Sequence, residues 1–110
     1  MENLEDKKQQ IIKKWNKFMV IDDAGAKNNF YDCLALTDDE LKNQLIYIYN
    51  EHEDDCICAF YYILMREELL NDGKLFSNER KKFLLKCLNI LEIPLSKEIK
   101  KAINFAQNLK

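Results

Sequence analysis

The chain has 110 residues, of which 47% are hydrophobic, and its formal net charge is −2; this is enough for one small domain with its own core. Only two glycines and one proline occur, which argues against all-β folds because these need many turn residues. The sequence has no run of about 18 uncharged apolar residues and no apolar signal-peptide core at its N-terminus. We therefore expect a cytoplasmic protein with no membrane span.

Apolar residues at helical spacing predict a first helix from about Asn3 to Ile21. The segment 22–28 breaks this pattern, and Gly25 is expected to lie in a turn there. The residues from Asn29 to Leu36 fit a short helix that packs as a lid, but their pattern does not require one.

A capping box predicts the start of the second helix. Thr37 stands at the cap position and Glu40 follows three residues later, so each can satisfy a free backbone N–H of the other. The helix is expected to continue to about His52.

The third predicted helix is the most apolar one. Asp54 or Asp55 is expected to cap it, and it runs to Asn71, where an Asp-Gly pair provides a stop. A helix that is apolar on most of its circumference is normally central to the core. Phe60 and Ile63 are therefore expected to be deeply buried.

Two more helices complete the predicted fold, one after Ser77 and one after Ser96, with Pro94 interrupting the chain between them. No linker or repeat divides the sequence. The prediction is an all-α fold, a compact bundle of four to five helices with short loops, forming a single helical domain over residues 1–110.

Catalytic, cofactor and metal sites are not predicted. The four cysteines contain no Cys-x-x-Cys pair and are expected to be reduced and buried. His52 is the only histidine, and no Gly-rich phosphate loop occurs.

Charge is distributed unevenly along the chain. Residues 22–55 contain ten carboxylates and two lysines, a formal net charge of −8, whereas residues 74–110 contain nine basic residues and three glutamates, a net of +6. Carboxylates at helix starts stabilise a helix by about 0.3–1 kcal/mol each, which explains several of the ten on structural grounds. Stabilisation of helix starts explains less well why so few lysines lie among these carboxylates. The functional alternative is a surface that binds a basic partner.

Tyrosines accompany the acidic residues. Tyr47 lies off the predicted buried stripe of the second helix and Tyr49 lies nearer to it. Either these rings pack in the core with their hydroxyls at its rim, or they join the carboxylates in an interface. The functional interpretation predicts an acidic, Tyr-bearing face with these members: Asp38, Asp39, Tyr47, Tyr49, Glu51, Glu53, Asp54 and Asp55.

These patterns favour a non-enzymatic binding protein that neutralises a basic protein, most simply an immunity-type inhibitor of a toxin or nuclease. Bacterial immunity proteins share the small size and acidity, an analogy of composition that no motif carries. Two alternatives stay open. One is a DNA-binding regulator using basic helices four and five, although the acidic chain and Pro94 in the turn argue against nucleic acid. The other is a subunit of a larger helical assembly.

Overall fold

A computed structural model describes residues 3–19 and 24–107. Within these ranges the regular structure is entirely helical, with six α-helices and one short 3-10 helix: α1 Leu4–Trp15, α2 Ala24–Leu34, α3 Asp38–Glu51, the 3-10 helix Glu53–Asp55, α4 Cys56–Leu70, α5 Asn78–Ile90 and α6 Lys97–Gln107. The all-α prediction is confirmed, and the described helices exceed the expected four to five. The Cα radius of gyration is 13.1 Å, close to the roughly 13 Å of a compact 100-residue domain.

The additional helix is α2, which falls partly on the segment expected to break the helical pattern. It begins at Ala24, so Gly25 lies in a helix and not in a turn. Phe30 and Cys33, three residues apart, are both buried, and α2 packs against α4. Burial of this face stabilises a helix that weak local propensity does not predict.

The first helix is shorter than expected, because α1 ends at Trp15 and not near Ile21. The amides of Phe18 and Met19 both donate to the Trp15 carbonyl, each at 2.9 Å, so the chain turns there. This turn brings the Phe18 ring to 5.6 Å from the Trp15 ring. Ile21, the predicted end of the helix, lies outside the described residues.

Several predicted helix ends are confirmed. Thr37 and Glu40 form the capping box, and the hydroxyls of Ser77 and Ser96 accept from backbone amides three residues on. Asp54 or Asp55 was expected to cap the third helix; the residue at the cap position is Asp55, and its side chain makes no capping hydrogen bond. A turn of 3-10 helix precedes α4 instead. A backbone carbonyl there accepts the hydrogen bond from a backbone N–H at the start of α4 that a capping side chain would otherwise accept.

Helix α4 is the centre of the core and packs against α1, α2, α3 and α6. Phe60 is 0% exposed and Ile63 is 1% exposed, as predicted. Ile57 and Leu70, near the two ends of the helix, are exposed.

The order of contacts fixes the directions of the central helices. Asp38 at the start of α3 meets Arg80 at the start of α5, and Tyr49 near the end of α3 meets Glu92 just after α5. Helices α3 and α5 therefore run in the same direction. Arg66, near the end of α4, reaches back to Asp38, so α4 runs the opposite way. None of the helices in the described ranges is long and apolar enough to cross a bilayer.

Candidate functional site

Four of the predicted residues form one exposed acidic run where α3 ends and α4 begins. Glu51 is the last residue of α3, and the 3-10 helix supplies Glu53, Asp54 and Asp55. All four side chains are exposed, and none makes an ion pair with a described residue.

Helix dipoles account for only part of this acidic run. The three carboxylates of the 3-10 helix immediately precede α4, and negative charge is favourable at that end. Glu51 lies at the C-terminal end of α3, where positive charge is favoured, and the last turn of α3 contains no basic residue. Glu51 thus stands where it costs helix stability.

Glu92 joins this surface from the other half of the chain. The Glu92 carboxylate acts on the Tyr49 hydroxyl as an acceptor, and this interaction, followed by burial, raises the pKa of Tyr49. The charge of Glu53 raises the pKa of Tyr49 in the same direction. Tyr49 itself is half-buried. We use "acidic end" for Glu51, Glu53, Asp54, Asp55 and Glu92.

The backbone at Glu92 is unusual for a carboxylate. Its φ of 53° is the left-handed conformation that glycine normally occupies after a helix. The amide of Ile93 donates to the Leu88 carbonyl at 2.9 Å, which completes the Schellman closure of α5. Glu92 is therefore a second exposed carboxylate at the negative end of a helix.

Exposed apolar side chains accompany the acidic end. Tyr47 is 52% exposed and Ile46 is 48% exposed. The Tyr47 ring meets the His52 ring in a T-shaped contact with centroids 5.5 Å apart. An aromatic ring held by a neighbour and bordered by charge has the composition of an interface anchor.

Asp38 and Asp39, also predicted for this face, lie at the opposite end of α3. Thirteen residues at 1.5 Å each separate Asp38 from Glu51 by about 20 Å. Asp39 pairs with Lys42 at 3.3 Å and is exposed. The eight predicted residues therefore occupy two separate places, and the acidic end excludes Asp38 and Asp39.

Asp38 belongs to a charge network that ties α3, α4 and α5 together. Arg80 donates to it at 2.7 Å and 3.2 Å, and Arg66 donates at 3.1 Å. The Arg80 hydrogen bond, followed by Arg66, holds the pKa of the Asp38 carboxyl below its ordinary value despite partial burial. Arg80 also donates to Glu67 through Nε at 2.9 Å and through a second, short bond from Nη2.

Three consecutive charged residues on α4 are buried, although nothing in their spacing indicates it. Arg66 is 4% exposed, and Glu67 and Glu68 are each 1% exposed. Arg66 Nη1 donates to Glu67 at 3.1 Å, while Arg66 Nε has no hydrogen-bond partner among the described residues. Buried charges need partners of this kind, because an unpaired charge in the core is costly.

Glu68 forms a separate buried link between α4 and α1. Trp15 Nε1 donates to its carboxylate at 2.8 Å and Lys14 Nζ donates at 3.0 Å. Burial raises the pKa of Glu68, although the hydrogen bonds from Trp15 and Lys14 oppose that rise. Lys14 also donates to the Phe105 carbonyl at 2.8 Å, which extends the link to α6.

Burial disfavours the thiolate form of the buried cysteines. Burial raises the pKa of Cys33 to about 11 and that of Cys87 to about 12. Cys56 is also buried, whereas Cys58 is exposed, contrary to the expectation that all four are buried. Across the described residues no group of three or more histidine, cysteine or acidic side chains is placed to hold a metal ion.

The basic residues of the C-terminal part divide into two groups. Arg80, the first basic residue of α5, turns inward to the charge network. The remaining lysines of α5 and α6 are exposed, and we name them the "lysine face": Lys81, Lys82, Lys86, Lys97, Lys100 and Lys101.

No protein-family model, curated protein or solved structure matches this chain.

Proposed function

We propose that this chain is a non-enzymatic binding protein whose acidic end, with Tyr47 and Tyr49, occupies a basic surface of another protein. The partner class that fits best is a basic toxin or nuclease, which makes the chain an immunity-type inhibitor. Such a partner holds nucleic acid in a positive groove, and a carboxylate surface of this kind can cover the groove.

The observation that carries the proposal is the position of Glu51 and Glu92. Both are exposed carboxylates at helix C-terminal ends, where the helix dipole disfavours them, so dipole compensation does not explain their presence. Tyr47 and Ile46 add exposed apolar area beside Glu51. A fast, specific inhibitor needs carboxylates that attract a basic partner and, between them, an apolar side chain that anchors the partner once it is bound.

The buried thiols agree with a reducing compartment such as the cytoplasm, where an inhibitor would protect its own cell. The charge network at the opposite end holds α3 against α4 and α5. In this proposal Asp38 stabilises the scaffold that presents the acidic end, and Asp39 contributes at most long-range attraction.

The experiment is a capture in three parallel lanes from an extract of the native source. The baits are the wild-type chain, a variant with Glu51, Glu53 and Asp54 changed to Lys, and a variant with Lys97, Lys100 and Lys101 changed to Glu. A basic protein retained by the first and third baits but not by the second supports the proposal. Nucleic acid retained by the wild type and lost only with the lysine variant would favour the DNA-binding alternative.

A further inference from the structure

The lysine face, like the acidic end, makes no ion pair within the described residues. None of its six lysines makes an ion pair with any carboxylate of the described residues. The chain forms ion pairs elsewhere, for example Lys7 with Asp72 and Lys14 with Glu68. Carboxylates of the acidic end and lysines of α5 and α6 are therefore left without ion pairs on one small molecule.

Each surface also carries exposed aliphatic side chains. Leu85 is exposed on α5, three residues after Lys82 and four after Lys81, so these side chains share one side of the helix. Leu95 is exposed in the turn that leads to α6. At the acidic end the corresponding apolar residues are Ile46 and Ile57. Apolar area bordered by charge is the usual arrangement of a protein interface.

We propose that two copies of this chain associate head to tail, with the acidic end of one copy on the lysine face of the next. The proposal shares the acidic end with the proposed function but needs no second protein. A second copy is favoured over nucleic acid because a polyanion would be repelled by the acidic end, whereas a second copy offers complementary charge at both surfaces.

The two surfaces differ, so the contact is heterologous and leads to a chain or a closed ring. A standard interface takes about 800 Å² from each partner, and this molecule exposes 7125 Å², which leaves room for both contacts at once. Exposed ion pairs are individually weak, so the association is expected to be weak and sensitive to salt.

Sedimentation velocity of the purified chain tests this directly. The Debye length falls from about 30 Å at 0.01 M salt to about 3 Å at 1 M, so the charge attraction is present at the first and screened at the second. At low salt the weight-average mass should rise above 13.1 kDa as concentration increases, and at high salt it should return to that value. A mass of one chain at every concentration in low salt overturns the proposal.

Two variants with neutralised side chains show whether association depends on the proposed contact or only on the net charge of the chain. The acidic-end variant carries Glu51→Gln, Glu53→Gln and Asp54→Asn, and the lysine-face variant carries Lys81→Gln, Lys82→Gln and Lys86→Gln. Each variant alone has one side of the contact weakened by three charges, so its self-association should fall about tenfold or more. An equimolar mixture retains one intact half on each chain and should form a dimer, twice the 13.1 kDa of the chain, and nothing larger.

The control for the lysine-face variant changes three other exposed lysines, Lys13, Lys17 and Lys74, to Gln, which lowers the net charge by the same amount. It should associate as the wild type does, and circular dichroism should show that all variants fold. Equal loss in the control, or a mixture that stays monomeric, contradicts the head-to-tail contact. Nucleic acid bound by the wild type and lost in the lysine-face variant, with the mass unchanged, would assign that face to nucleic acid instead. Because no second protein is present, failure here leaves the proposed function untouched.

Discussion

Replacing Arg80 with Ala should destabilise the fold more than any change at an exposed charge. Arg80 bridges Asp38 and Glu67, donating to Asp38 at 2.7 Å and to Glu67 through Nε at 2.9 Å. Glu67 is 1% exposed and the Arg80 side chain is 30% exposed, so water entering the vacated space would replace only part of the lost guanidinium's interaction. Only Arg66, at 3.1 Å, would remain to neutralise this buried carboxylate.

The expected magnitude follows from that arrangement. Removing one partner of a buried ion pair costs about 3–5 kcal/mol, and the remaining Arg66 places Arg80→Ala near the lower end, about 3 kcal/mol. Arg80→Lys keeps the charge but loses the fork that reaches two carboxylates, so it should cost less than Arg80→Ala but remain measurable. A domain has roughly 5–15 kcal/mol of stability in total, so both changes are detectable by urea unfolding at pH 7.

Lys81→Ala is the matched control, because Lys81 is the next residue on α5, is exposed and has no ion pair among the described residues. It should change the free energy of unfolding by no more than about 0.5 kcal/mol. If Arg80→Ala were as mild as Lys81→Ala, the buried network would not hold α3, α4 and α5 together, and our account of Asp38 would be wrong.

The other predictions concern the core, pH and thiol access. Phe60→Ala should cost about 3–5 kcal/mol in the same unfolding assay, and a melting temperature within two degrees of wild type would refute its core position. Folding lowers the pKa of Asp38, so its carboxylate stabilises the folded state at pH values above the unfolded pKa. This stabilisation should disappear as pH falls through the folded pKa, and Asp38→Asn should lack that pH-dependent loss of stability. Glu68 has a raised folded pKa, so stability should decline as pH rises from its ordinary 4.5 to the folded pKa; Glu68→Gln should abolish that decline, and an unchanged profile would contradict it. A thiol reagent should modify one cysteine, Cys58, in the native protein and all four after unfolding; a fast-reacting Cys87 would contradict its burial.

Local signals in the sequence predicted much of the fold. The capping box at Thr37 depends on residues three apart, so it is readable without any tertiary contact. The apolar run of α4 likewise identified Phe60 and Ile63 as core. Helix α2 was left open because packing of Phe30 and Cys33 on α4, and not local propensity, stabilises it.

Features that depend on contacts between distant helices were not predictable. Arg66, Glu67 and Glu68 look like an exposed helix surface unless their partners on α1, α3 and α5 are known. Asp38 was assigned to the acidic face for the same reason. Glu92 was counted with the basic part of the chain, because the sequence does not show that α3 and α5 run in the same direction.

The central claim, that the acidic end binds a basic partner, is tested most directly by one titration of the captured protein. The Glu51, Glu53 and Asp54 reversal and the Lys97, Lys100 and Lys101 reversal each alter three exposed charges, and both should leave the fold nearly as stable as wild type. Our account predicts a dissociation constant at least about tenfold larger for the acidic reversal than for the lysine reversal, with a wild-type association rate that falls as salt rises. Equal dissociation constants, or a greater loss from the lysine reversal, would contradict it.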